Sequence, residues 1–120
     1  MVDLTNEHEM LEMAAKAAGH TIEFTVDAAG DTHCWYGDRF TSILWNPLVY
    51  HSDAFDLMVK LNIQVYRHPK LGGIIVCAEN WSWDDYKHYH VKVKINKENV
   101  ASSFCYAIVK VAAEIGRNIK

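Results

Sequence analysis

His88 and His90 stand one residue apart in the run HYHVKVKI. On an extended strand that spacing sends both imidazoles to one face, a pattern that can chelate zinc or another divalent ion. With seven histidines in 120 residues, a metal centre is the first chemistry to weigh. A third ligand would have to come from His33, Asp84 or Asp85. Lys92 and Lys94 continue the same row, however, and their charges repel a cation, so the row reads as a solvated polar face. A small metal-dependent enzyme using His88 and His90 is therefore the alternative and not the main reading. No metal and no cofactor is expected.

Covalent catalysis needs a nucleophile, a base and an orienting group within reach of one another. His33 and Cys34 are neighbours in a strand-like run, so their side chains point to opposite faces. Ser102 and Ser103 fall in the first turn of a helix, where hydroxyls serve the backbone. Gly72-Gly73 reads as a hairpin turn and lacks the lysine and hydroxyl of a phosphate loop. The chain contains no G-x-S-x-G, dinucleotide fingerprint or H-E-x-x-H. It is not expected to be an enzyme. Cys34, Cys77 and Cys105 are odd in number, widely spaced and set among apolar residues, which suits buried free thiols in a reducing compartment.

The four tryptophans carry more weight, since a single core of this size does not require them all. Trp81 and Trp83 flank Ser82, and the segment continues Asp84-Asp85-Tyr86. Asn80–Lys87 thus reads as an exposed loop with apolar anchors and an acidic rim, suited to a basic partner surface. Tryptophan and tyrosine bury large areas at low entropic cost and dominate binding hot spots. Trp35, Tyr36, Trp45 and Tyr50 gather around the second and third strands. A nucleotide ligand would need a cation such as Arg39 or Lys92 beside a stacking ring such as Trp35 or Trp45. The candidate binding residues are Trp81, Trp83, Asp84, Asp85, Tyr86, Trp35, Arg39 and Trp45. A protein partner is favoured over a small nucleotide.

The elements that must position these residues follow from periodicity and punctuation. Asn6 and Glu9 form a capping-box pattern, predicting a helix from Asn6 that ends at Gly19 and buries Leu11, Ala14, Ala15 and Ala18. His20–Val26, Thr32–Tyr36 and Arg39–Trp45 read as strands, the last ended by Asn46-Pro47. Ser52 or Asp53 should cap a second helix, Asp53–Leu61, with Phe55, Met58, Val59 and Leu61 facing inward. Ile63–Tyr66, Ile74–Ala78 and His88–Ile95 are three further strands, and Asn96 or Asn99 opens the last helix. In Val100–Gly116 the residues Val100, Phe104, Ile108, Val111 and Ile115 form one helical stripe, with small alanines between them. Phe104, Ile108 and Val111 are expected to be buried against a sheet. The result is a single α+β domain over residues 1–120, mainly antiparallel sheet packed with three helices, in the order α-βββ-α-βββ-α.

Composition narrows the classes. An apolar fraction of 50% and a charged fraction of 22% are those of a globular chain. A net charge of −3 argues against general nucleic-acid binding, which needs a basic stripe. No apolar run is long enough to span a bilayer, and the first residues, MVDLTNEHEM, carry no signal-peptide pattern.

Three stretches carry a resemblance: EHEMLEMAAKAAG near the start, WNP followed by DAFDLMVKLNI in the middle, and AIVKVAAEIGRNIK near the end. In this order they resemble small accessory proteins of tailed phages and prophages. The resemblance covers nearly the whole chain, implies a phage origin and the bacterial cytoplasm of the host, and brings no catalytic residues. The aromatic, histidine-rich Asn80–His90 departs from that pattern. By analogy with other phage genes of this size, the expected function is a non-catalytic binding protein that antagonises host anti-phage defence, either by binding a host protein or by sequestering a nucleotide signal. A phage structural or assembly factor is the further alternative. The oligomeric state is left open, a homo-oligomer included.

Overall fold

The computed structural model describes residues 4–37, 43–68, 73–81 and 88–119. Nine elements follow one another: α1 (Leu4–Ala18), β1 (Ile22–Val26), β2 (Thr32–Tyr36), β3 (Ile43–Leu44), α2 (His51–Lys60), β4 (Ile63–Arg67), β5 (Ile75–Trp81), β6 (His88–Lys94) and α3 (Val100–Arg117). The strands form two antiparallel sheets of three, β1-β2-β3 and β4-β5-β6. This is the α+β order that the sequence predicts.

Helix α3 is the centre of the molecule. Ile108, Val109, Val111, Ala112 and Ala113 are buried, and so is Gly116. Its small residues meet the small-residue face of α1, where Leu11, Ala14, Ala15 and Ala18 are all buried as their spacing predicts. The approach is so close that a Cβ on Gly116 would overlap the carbonyl of Met13. Two polar contacts flank this seam: Arg117 faces Glu9 at 3.9 Å, and Lys16 Nζ donates to the Ile119 carbonyl at 2.8 Å.

The other side of α3 packs on the second sheet. Directly opposed residues of an antiparallel ladder share a face. The rows Ile63–Asn80–Tyr89, Val65–Ala78–Val91 and Arg67–Val76–Val93 therefore form the inner face. Tyr89, Val91, Val93 and Ile95 join the core from β6 and the residue after it, while His90, Lys92 and Lys94 are exposed, the alternation read from HYHVKVKI. Phe104 is half-buried at the edge of this packing rather than inside it; Ile108 and Val111 occupy the buried positions.

Other boundaries differ from expectation. α1 starts at Leu4, so Asn6 lies within the helix, and Glu9 turns toward Arg117. α2 starts at His51 with Tyr50 as its cap residue. Asp53 reaches back and accepts the Asn46 amide at 2.9 Å, tying the W-N-P turn to the helix. With this tie in place, α2 turns a different face inward from the predicted one. Ala54 and Leu57 are buried, Met58 and Leu61 are half-buried, and Phe55 and Val59 point outward. Asn62 closes the helix with a φ of 55°, a left-handed position that asparagine tolerates. β5 runs on to Trp81, so Asn80 and Trp81 belong to a strand and not to the expected loop. Asn80 is buried, and its amide donates to the Leu61 carbonyl. Asn99 caps α3, accepting the Ser102 amide at 3.0 Å.

Candidate functional site

The first sheet carries Trp35, Tyr36 and Trp45 among its aromatics, and packing commits Trp45. The Trp45 amide extends the β2–β3 pairing by donating to the Cys34 carbonyl at 2.9 Å. Its ring is only 4% exposed. His20 packs on Tyr36 with ring centroids 4.1 Å apart and meets Trp45 edge-on at 5.9 Å. Trp35 is half-buried, and its Nε1 donates to Thr25 Oγ1 at 2.8 Å on the neighbouring strand. Trp45 is thus part of the core, and Trp35 is tied to β1 through its ring N–H. Neither stands beside Lys92 in one element, since Lys92 belongs to the second sheet. Arg39 lies outside the described residues.

Between α2 and this sheet is a cleft of about 200 Å³ walled by His20, Tyr36 and Trp45, with Asp53, Asp56 and Lys60 along α2. Burial, reinforced by Lys60, holds the His20 imidazole below its ordinary pKa, against an upward pull from Asp53 and Asp56. The ring is therefore neutral at neutral pH. Its aromatic contacts make it part of the wall.

The candidate nucleophiles are each occupied. Burial, with Asp53 and Glu12 adding to it, raises the Cys34 thiol to about 11. The Cys105 thiol is raised by burial as well. All three cysteines are buried and unbridged. His33 faces away from Cys34 and binds Asp27 at 2.8 Å across the β1–β2 turn. That contact, followed by the Asp31 amide, lowers the Asp27 carboxyl. Ser103 Oγ accepts the Asn96 amide at 2.9 Å, and Ser102 Oγ donates to the Asn99 carbonyl at 2.9 Å. These are the backbone roles read from their place in the helix.

Among the described residues, no group of three or more His, Cys, Asp or Glu side chains is placed to hold a metal ion. His90 is exposed on β6, and His33, a possible third ligand, belongs to the other sheet. His88 pairs with Trp81 as the last rung of the β5–β6 hairpin. The hairpin's connection, residues 82–87, contains Trp83, Asp84, Asp85 and Tyr86, and these lie outside the described residues. Trp81 thus stands at the end of a regular strand, one residue from that connection.

The surface feature that the sequence reading missed is on α2. Phe55 and Val59 are 58% and 63% exposed and sit one turn apart on one flank of the helix. Tyr50 and Val49, just ahead of the helix, are exposed too. Periodicity alone could not show this. The helix carries apolar residues on more than one side, and in the fold Ala54 and Leu57 turn inward while Asp53 is held to the Asn46 amide. Asp56 supplies a charge on the outer surface. Compared with known proteins, the chain matches no family model, no curated protein and no solved structure.

Proposed function

We propose that this chain is a non-catalytic phage protein that antagonises a host anti-phage defence system in the host cytoplasm by binding a host protein, with the outer flank of α2 as its contact. The observation that carries this reading is the exposed Phe55–Val59 pair, extended by Tyr50 and Val49. Large apolar side chains grouped on one helix flank fit an apolar groove, the helix-in-groove mode of recognition. Asp56 and the net charge of −3 favour a groove with a basic rim. The ordered motifs near both ends and in the middle of the chain support the phage origin. The structural commitments of Ser102, Ser103, His33 and Cys34 support occupancy over catalysis. Among the described residues no helix is long and apolar enough to cross a membrane. Trp81 and the segment that follows it form the second candidate contact.

The test is capture of the host partner by the parent chain, followed by the same capture with Phe55→Glu and Val59→Glu. Both positions are exposed, so both variants should fold. Each should lose binding and inhibition by about 2 kcal/mol or more, the scale of a hot-spot residue. Folded variants that inhibit like the parent would overturn the assignment. A parent dimer that Phe55→Glu converts to monomer would reassign the flank to self-association, and co-purification with virions would favour an assembly role. Alanine at Trp81 and Trp83 tests the second contact in the same assay.

A further inference from the structure

A separate cleft of about 430 Å³ opens where the end of β4, residues 73 and 74 ahead of β5, the end of β6 and the start of α3 come together. Its apolar lining is Ile74, Ile95 and Val100, and its charged lining is Arg67, Lys94 and Lys97. The ladder explains the combination. Arg67 stands opposite Val76, which is itself opposite Val93, so Arg67 projects from the helix-facing side of the sheet although it is charged. Ile95 continues that side, its amide bonded to the Ile74 carbonyl at 2.8 Å. A guanidinium is thus held at the open end of an apolar floor. Gly73 lies directly under its stem: a Cβ there would sit 3.7 Å from Arg67 Cδ.

Three cations line this cleft in a chain whose net charge is −3: Arg67 from the helix-facing side of the sheet, Lys94 from the opposite face at the end of the edge strand β6, and Lys97 from the turn before α3. None of the three enters an ion pair among the described residues; His33–Asp27, Arg117–Glu9 and Arg117–Glu114 lie elsewhere. Val100 is the first residue of an 18-residue helix with no acidic residue in its first turn, so the positive end of the helix dipole adds to the same field. Glu98 lies in the turn before α3 but does not line the cleft. The volume is that of a small-molecule site.

We propose that the cleft between Arg67, Lys94, Lys97 and the start of α3 binds a nucleotide, with the phosphates on the three cations and the base or sugar over Ile74, Ile95 and Val100. The anion requirement comes from three cations that have no ion-pair partner among the described residues, and the requirement for an organic portion comes from the apolar floor. A bare anion would leave that floor in water. The site is independent of the α2 flank, and either assignment can fail without the other.

The experiment titrates the full chain with ADP, adenosine and inorganic pyrophosphate, following backbone amides by NMR. ADP is expected to bind saturably and to shift the amides of Val100 and Ala101. Adenosine and pyrophosphate should each bind about tenfold more weakly or worse, since each lacks one half of the match. Changing Arg67, Lys94 and Lys97 together to Gln should abolish ADP binding while the circular dichroism spectrum is retained, because all three are exposed. Lys92→Gln, on β6 but outside the cleft, should leave binding unchanged. Absence of saturable ADP binding, equal binding of pyrophosphate, a triple variant that binds like the parent, or an equal loss in Lys92→Gln would each overturn the proposal.

Discussion

Gly116 of α3 lies against the backbone of Met13 in α1 with no room for a methyl group between them. Two helices approach this closely only where one presents no side chain at all. The seam therefore depends on a glycine in a helix, where glycine is otherwise disfavoured by about 1 kcal/mol relative to alanine.

Gly116→Ala should accordingly destabilise the fold despite its better helix propensity. Overpacking of this kind costs about 1–3 kcal/mol, and the obstruction is backbone, which yields less readily than a side chain. Urea unfolding of the two proteins measures the effect. A variant as stable as the parent would mean that the helices stand further apart.

The orientation of α2 makes a paired prediction. Leu57→Ala should cost about 2–5 kcal/mol, because Leu57 is fully buried. Phe55→Ala should stay within about 0.5 kcal/mol, as exposed positions do. Thermal melts of both variants distinguish the observed face from the one that hydrophobicity alone predicts, which would reverse the order.

His20 gives a pH dependence with a definite direction. Burial, with Lys60 second, lowers its pKa from the ordinary 6.5, while Asp53 and Asp56 oppose the shift. As the pH drops through 6.5, the unfolded chain gains a proton that the folded chain still refuses. Its contribution to stability is therefore full above 6.5, declines as the pH falls toward the folded pKa, and is lost below it. An NMR titration of the His20 ring should have its midpoint under 6.5, and Lys60→Gln should move that midpoint upward. A midpoint at or above 6.5 would contradict the observed surroundings.

The Cys34 thiol, raised to about 11, should be almost wholly protonated at neutral pH and inert toward thiol reagents in the native protein. All three buried cysteines should react with a chromogenic disulfide only as the chain unfolds. Rapid labelling of Cys34 under native conditions would show that its site opens.

The architecture was legible in the sequence because its cues are local: alternation in β6, the alanine face of α1, the stripe of α3, and the Asn99 cap. The residues of the three stretches singled out in the sequence have structural work. Ala14, Ala15, Ala18 and Gly116 build the α1–α3 seam, Asn46 and Asp53 fix the W-N-P turn to α2, and Ala54 and Leu57 seat that helix. Such residues identify a fold and leave function unspecified. The candidate sites were harder to read. Trp45 was a candidate contact because tryptophan serves cores and interfaces alike, and only its packing against His20 and the β2 backbone places it inside. The cleft at Arg67, Lys94 and Lys97 was invisible for another reason. Its cations come from two strands and a turn, and only the registers Arg67–Val76 and Ile75–Lys94 bring them to one end of the sheet.

The pairing of α1 with α3 also bears on how the chain is made. A ribosome delivers α1 first and α3 only after every strand has emerged. Until then the face of Leu11, Ala14, Ala15 and Ala18 has no partner, and the inner side of the second sheet has no cover. Assembly cannot proceed piece by piece along the emerging polypeptide. It must wait for a closure between distant ends, which slows folding and prolongs the exposure of apolar surface to chaperones and proteases.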